Sequence, residues 1–149
     1  MSDRVEVVRI ERGAPFGEAL DAISLEAFSG PAFSPVAELE RPWGRVWGAL
    51  AQAGSPLGFL VAWHVVDELH VLNVATSASA RHRGVGSLLV REALAYASAS
   101  GVRLVLLEVR RSNEPAIRLY EKHGFVVTNV RVKYYSDNDE DALEMQLSL

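Results

Sequence analysis

The order of elements in this chain predicts an α/β fold, a mixed sheet flanked by helices. Three observations predict it. Apolar runs over Arg45–Ala51, Leu57–Val66 and Glu68–Ala75 are separated by the turn signals Ala53-Gly54-Ser55-Pro56 and Val66-Asp67, so they read as three antiparallel strands. Two amphipathic helices follow, one over Val85–Ser100 and one capped by Ser112 or Asn113. Between those helices, Val102 to Val109 is almost unbroken apolar sequence, the pattern of a strand buried on both faces.

The remaining elements follow in order. Arg4 to Ile10 alternates charged and branched apolar residues, as a half-buried strand does. Glu18 to Phe28 carries Leu20, Ile23, Ala27 and Phe28 at helical spacing. Ser29 to Pro42, rich in proline, predicts a loop with a short helix over about Val36–Leu39. The helix at Val85 presents Val85, Leu88, Leu89, Ala93 and Tyr96 on one face, and Gly101 suits its C-terminal stop. Pro115 fits the first turn of the next helix and Gly124 ends it. Phe125 to Tyr135 and Ala142 to Leu147 predict the last two strands, joined through the acidic run Ser136-Asp137-Asn138-Asp139-Glu140-Asp141.

At 149 residues the chain reads as one domain, long enough to bury its own core. Its 49% hydrophobic and 23% charged residues are ordinary for a soluble globular protein. A net charge of −4 argues against a general nucleic-acid binder while leaving room for a local basic phosphate site. The absence of cysteine removes disulfides, a thiol nucleophile and Cys-based zinc sites. Catalysis must therefore run on Glu, Asp, His, Tyr, Ser or Lys. The four histidines form no metal pattern, so no metal is expected; His64 and His70 read as structural, and the charge of His123 would suit a helix C-terminus. Met1-Ser2-Asp3-Arg4 opens no signal peptide, and no run reaches the ~18 apolar residues of a membrane span, so a cytoplasmic, membrane-free protein is the expectation.

Arg81-His82-Arg83-Gly84-Val85-Gly86 is the most informative motif. It joins a strand to an amphipathic helix, whose first turn offers unpaired N–H groups and the positive end of a dipole. Two glycines admit a ligand close to that backbone, and the arginines add charge, so the loop suits a phosphate, plausibly a diphosphate. An ordinary strand-to-helix turn with solvated arginines is the plainer reading. A dinucleotide-binding βαβ unit fits poorly, because the third glycine is missing and an antiparallel hairpin precedes the loop. Further on, Ala116, Leu119 and Tyr120 share one helix face, which would bring a phenol to the top of the sheet unless Tyr120 is simply core. Glu108 follows five apolar residues, Val102, Leu104, Val105, Leu106 and Leu107, interrupted only by Arg103, and a carboxylate there needs a reason. It is either salt-bridged to Arg110 or Arg111, or a general base with a pKa raised by partial burial.

Taken together, these residues resemble the GNAT superfamily of acetyl-CoA-dependent N-acetyltransferases, and within it the RimI-type ribosomal-protein-alanine N-acetyltransferases. The resemblance rests on the glycine loop, on Glu68-Leu69-His70-Val71-Leu72-Asn73-Val74-Ala75, and on Leu107-Glu108-Val109-Arg110 with Ser112-Asn113. Leu119-Tyr120-Glu121, Asn129-Val130-Arg131, Tyr134-Tyr135 and Glu140-Asp141-Ala142 extend it, so that residues 38–149 are covered well. The resemblance implies a mixed, mostly antiparallel sheet, splayed between the fourth and fifth strands to admit acetyl-CoA, with helices on both faces. It implies that Leu72, Asn73 and Val74 line the pantetheine arm, and that Arg81, His82, Arg83, Gly84, Val85, Gly86 and Ser87 wrap the diphosphate. Asn113 would touch the cofactor further along. Glu108 would deprotonate the acceptor amine, directly or through water, and Tyr120 would protonate the departing thiolate. Tyr134 and Tyr135 resemble a tyrosine pair that holds the first residues of a peptide, although two tyrosines at a strand end can also be edge packing. Phe33 would supply an apolar wall for the acceptor.

The implied acceptor is a protein N-terminus, with the N-terminal alanine of a small-subunit ribosomal protein leading. The chemistry agrees: an α-amino group has a pKa of ~7.7–8.0 against ~10.4 for lysine, so one carboxylate is base enough. GNAT action on small amines or lysine side chains, and a non-catalytic acyl-CoA sensor, are the rival readings. The chain departs from the family pattern at Thr76-Ser77-Ala78-Ser79-Ala80, where a proline is usual and a more mobile loop entrance is expected instead. It departs again at Ala32-Phe33-Ser34, where Pro-Trp-Ser is common. The acidic run reads either as a solvated turn or as an attractor for a basic peptide.

Overall fold

The computed structural model describes residues 4–28 and 33–149. The readings placed on 1–3 and 29–32, Ala32 included, lie outside the described residues. Four strands precede the long helix: β1 (Val5–Arg9), β2 (Gly44–Ala51), β3 (Pro56–Val65) and β4 (Glu68–Thr76). Three follow it: β5 (Leu104–Arg110), β6 (Val126–Arg131) and β7 (Ala142–Ser148). They form one sheet in the order β1-β2-β3-β4-β5-β7-β6, in which β4 and β5 run parallel and every other neighbouring pair antiparallel.

Helices cover both faces because each face carries its own apolar set. On one face, α2 (Val85–Ala99) and α3 (Glu114–Lys122) bury Leu89, Val90 and Tyr120 against Leu60, Leu69, Val105 and Met145. On the other, α1 (Gly17–Ala27) lays Leu20 and Ile23 on Ile10, Val46, Phe59 and Val61. The neighbouring values Leu60 and Phe59, both fully buried, point to opposite faces, which is the period of a strand closed on both sides.

β5 departs from the reading of a strand buried on both faces. It starts at Leu104, and only Val105, Leu107 and Val109 are buried; Leu104, Leu106, Glu108 and Arg110 are half-buried. An apolar run cannot separate a face covered by helix from one that borders an open cleft. The predicted strand Phe125–Tyr135 also shortens, to Val126–Arg131. Lys133 turns into the left-handed region at φ 54°, and Tyr134 and Tyr135 lie past the strand in the connection to β7. The short helix read at Val36–Leu39 is a 3₁₀ turn over Pro35–Glu40.

A one-residue bulge in β4 positions the site. Val61 pairs with Asn73 but Ala62 pairs with Val71, so Leu72 is the extra residue. Because the side-chain period is two, an inserted residue flips everything beyond it. Leu69 and Val71 accordingly face the α2 side, whereas past the bulge Val74 takes that side and Ala75 joins the α1 cluster.

The β3–β4 hairpin carries a local cost. Val65 pairs with Glu68, which leaves Val66-Asp67 as a two-residue turn with φ 56° at Val66. A positive φ at the first turn position is glycine's place, and a branched side chain there costs ~1–2 kcal/mol. Val66 is 89% exposed, so no burial offsets the strain. Val66→Gly should therefore raise stability by up to ~1 kcal/mol after glycine's own entropic cost. A denaturant midpoint that stays the same or falls would contradict that account.

Candidate active site

The parallel ladder between β4 and β5 runs only from Glu68 opposite Leu104 to Val71 opposite Leu107. Past that point the strands part. Leu72–Thr76 keeps β3 beside it and Glu108–Arg110 keeps β7, but neither has the other. The bulge at Leu72 falls where the ladder stops, and bulges bend and twist the strand that carries them. A cleft of about 800 Å³ opens there. Backbone polar groups along the open edge of β4 need partners, and an extended ligand with amide groups can supply them as an added strand would.

Leu72, Asn73 and Val74 form one wall of the cleft, and Glu108 and Arg110 the other. Asn113 and Tyr120 reach it from α3, Phe33 from the α1 side, and Tyr134 and Tyr135 from the segment after β6. Nine of the predicted residues therefore meet in one cavity: Phe33, Leu72, Asn73, Val74, Glu108, Asn113, Tyr120, Tyr134 and Tyr135. Asn113 also caps α3, its Oδ1 accepting from the Ala116 N–H at 3.3 Å.

Arg81 to Ser87 does not line the cavity; it stands beyond the end of β4, at the start of α2. Gly84 is the N-cap at φ 77°, and no side chain caps the helix. The first-turn N–H groups of this 15-residue helix are thus free of a side-chain cap, with Arg81, His82 and Arg83 exposed beside them. Gly84 needs its φ. Gly86 has a different reason: a Cβ there would come within 3.2 Å of Leu119 Cδ2, so its smallness lets α2 approach α3. Ser87 Oγ and His123 Nε2, 2.8 Å apart, join the same two helices.

The loop entrance is more tied down than its sequence suggested. Thr76-Ser77-Ala78-Ser79-Ala80 folds into a 3₁₀ turn at Ala78–Ala80, with Ala80 buried. Glu26 on α1 accepts from the Ala78 N–H, and the Ser77 N–H donates to Leu57 O at 2.8 Å.

The ionisable groups of the cleft settle several alternatives. Glu108 is ion-paired, but to Arg131 at 3.6 Å rather than to Arg110 or Arg111. Those two arginines hold the acidic run instead: Arg110 binds Asp137 at 3.0 Å and Glu140 at 3.5 Å, and Arg111 binds Asp141 at 3.1 Å. Hydrogen bonds from Ser112 keep Glu140 below the usual carboxylate range, and Asp141 also accepts from the Lys133 N–H at 3.0 Å. Ser136–Asp139 is exposed, as a solvated turn is, but Asp137, Glu140 and Asp141 are held by Arg110 and Arg111, so the run pins the tyrosine segment to the end of β5. Arg110 sits 3.9 Å above the Tyr135 ring. Interaction with the Glu108 carboxylate raises the Tyr134 pKa, and burial raises that of Tyr135.

His70 was read as structural, yet it lines the cleft, 2.9 Å from Glu68. His123 was read as a charge suited to a helix C-terminus. Burial, with Lys122 and Arg91 nearby, lowers its pKa, so it is neutral at pH 7 and serves as a hydrogen-bond partner of Ser87. His70 on the cleft, and Arg131 and Glu144 beside Glu108, are the groups whose roles sequence reasoning missed. Strand periodicity could have put each on a face, but the register that gathers them is not written locally. Among the described residues no cluster of His, Asp or Glu can hold a metal, and no helix is long and apolar enough to cross a membrane.

Tyr120 is 7% exposed, edge-on to Phe125, and burial pushes its pKa up to about 12. Above the ordinary value of ~10 the unfolded chain gives up this proton while the folded chain keeps it, so folding binds more protons and stability falls as pH rises toward about 12. The slope reaches at most ~1.4 kcal/mol per pH unit. Unfolding midpoints of the wild type should fall more steeply between pH 9 and 11 than those of Tyr120→Phe; parallel curves would remove Tyr120 as the cause.

The splayed sheet, the uncapped α2 terminus beyond it and the Glu108–Tyr120 cleft define an acetyltransferase architecture, and the sequence comparison agrees. The chain belongs to the acetyltransferase (GNAT) family, whose profile matches residues 14–125. It is 34% identical over 111 residues to the putative [ribosomal protein bS18]-alanine N-acetyltransferase of Bacillus subtilis, covering 74% of this chain and 73% of that one. To the [ribosomal protein bS18]-alanine N-acetyltransferase of Escherichia coli K12 it is 35% identical over 102 residues, 67% of this chain and 69% of the relative. The crystal structure of the ribosomal-protein-S18-alanine N-acetyltransferase from Escherichia coli superposes with a TM-score of 0.86 at 27% identity, covering 97% of this chain and 94% of that one. Ard1 from Thermoplasma volcanium superposes at 0.80, also with 27% identity, over 96% and 97% of the two chains.

Proposed function

We propose that this N-acetyltransferase moves the acetyl group of acetyl-CoA directly to the α-amino group of a protein N-terminus, with the N-terminal alanine of a small-subunit ribosomal protein as its leading acceptor. The observation that carries the reading is the parting of β4 and β5 beside Glu108 and Tyr120, which opens a strand-shaped slot with a carboxyl and a phenol lining one cavity. The relatives from Bacillus subtilis and Escherichia coli, named for ribosomal protein bS18 alanine, support the choice of acceptor.

In this reading the pantetheine amides lie along Leu72, Asn73 and Val74, and the Val74 N–H polarises the thioester carbonyl. The diphosphate rests on the first turn of α2, between Arg81 and Ser87, where free N–H groups and the dipole favour an anion. Asn113, at the start of α3, meets the cofactor further along. The acceptor enters past Phe33, Tyr134 and Tyr135.

Glu108 takes a proton from the ammonium, directly or through water, and the freed amine attacks the thioester carbonyl carbon. The C–N bond forms, the oxyanion collapses and the C–S bond breaks. A thioester is already activated, so no metal and no acyl-enzyme are needed. Tyr120 faces the departing sulfur. At a pKa of about 12 it stays protonated across any working pH, whereas a thiol ionises near ~8.5. Its part is therefore first to donate a hydrogen bond that stabilises the leaving thiolate; of the two protons the ammonium gives up, one leaves through Glu108 and the other, shed as the amide forms, converts the thiolate to the thiol.

Glu108→Gln and Tyr120→Phe should each bind acetyl-CoA normally while losing roughly 10²–10⁴ in rate. Unchanged rates would remove them from these roles. Peptides beginning with free alanine should be acetylated, and the same peptides with blocked N-termini and an internal lysine should not. Equal turnover of the blocked set would transfer the assignment to a lysine or small-amine acetyltransferase.

A further inference from the structure

Two rows of side chains cross the acceptor end of the sheet. Glu108 on β5 is the register partner of Glu144 on β7, which is paired in turn with Asn129 on β6. The next row on the same face is Arg110, Ala142 and Arg131. An acidic row thus lies against a basic one. Without such a neighbour the two carboxylates, directly opposite each other, would repel uncompensated, which destabilises a sheet.

Arg131 resolves the conflict from the outer strand. Its Nε lies 2.7 Å from Glu144 Oε1 and 3.6 Å from Glu108 Oε1. The first contact is a charge-assisted hydrogen bond; the second is a longer ion pair. Ala142, between Arg131 and Arg110, is fully buried and too small to block the guanidinium's reach across β7. Arg131 and Asn129 hold Glu144 below the usual carboxylate range, so the anchor stays charged. The Tyr134 ring lies 5.4 Å from the guanidinium carbon and restricts it from another side.

We infer that Arg131, anchored on Glu144, is a positioning residue that sets the Glu108 carboxylate for its work on the acceptor amine. The inference rests on the reading of Glu108 as base. A carboxylate at the edge of an open cleft has rotamers to explore, and a misplacement of ~1 Å can cost ~10²-fold in rate. Glu144, directly opposite in the register, pushes the Glu108 carboxylate away, and Arg131 reverses that push, its one Nε hydrogen-bonded to Glu144 and ion-paired to Glu108. Arg131 does not line the cleft, and it acts through Glu108.

A double-mutant cycle tests this, run with acetyl-CoA and the fastest acceptor of the peptide panel above. Arg131→Gln should lower kcat ~10–100-fold with the KM for acetyl-CoA unchanged. Introduced into Glu108→Gln, the same change should cost less than twofold, because nothing is left to position. Arg131→Lys should recover part of the loss through its charge. Glu144→Gln, which spares Arg131 and removes only its anchor, should lower kcat several-fold with the same non-additivity. It carries the cycle if Arg131→Gln proves unfolded by its melting curve. A wild-type kcat in both Arg131→Gln and Glu144→Gln, or an undiminished further loss in the Glu108→Gln background, overturns the positioning role while leaving Glu108 as base. A wild-type rate in Glu108→Gln alone overturns the base reading, and the positioning role with it.

Discussion

The fold depends on one short interaction, the parallel ladder between β4 and β5. It joins two antiparallel half-sheets, β1–β4 and β5–β7, through four register pairs only. A longer ladder would close the sheet and leave no cleft; a shorter one would leave the halves held by helices alone. The one-residue bulge at Leu72 sets the length by bending β4 off its neighbour as the fourth pair is completed. The unpaired edge that results would be a fault in most sheets, since buried backbone groups need partners. In the proposed reading it is the feature that the amides of the pantetheine arm complete.

Charge is arranged locally around that opening, and the net value of −4 hides the arrangement. At one end stand arginines and an uncapped helix terminus, with no acidic residue in the first turn of α2. At the other, carboxylates and arginines alternate by rows, and Arg110 and Arg111 gather the acidic run so that the tyrosine segment folds back over the cleft. The two ends communicate through α2 and α3. Gly86 against Leu119, and Ser87 against His123, fix the start of α2 to the helix that carries Tyr120.

Much of this was legible in the chain. Helices α2 and α3, the three-strand meander and the glycine loop announce themselves because amphipathic spacing, turn residues and caps act over a few residues. Nine of the predicted cleft residues do meet in one cavity. The errors share a cause. Val102–Val109 looked buried on both faces because leucines lining a cleft read the same as leucines in a core. The last tyrosines looked like strand because nothing in Val132-Lys133-Tyr134-Tyr135 shows that Asp141 will hold the Lys133 backbone in a left-handed turn. The partner of Glu108 was sought nearby, at Arg110 and Arg111, when it is Arg131, two elements further along the chain.

The sequence by itself determined the elements, their order and the kinds of side chain on offer: a glycine loop with arginines at a helix start, a carboxylate near the end of an apolar strand, a phenol on α3 and no thiol. Those follow from local periodicity and side-chain identity. Only the tertiary structure decided where the ladder stops, which groups face the gap, that Tyr120 is buried enough to keep its proton, and that Glu144 and Arg131 share Glu108's face. Register, burial and charge pairing are properties of strands brought together from distant parts of the chain, and no single segment carries them.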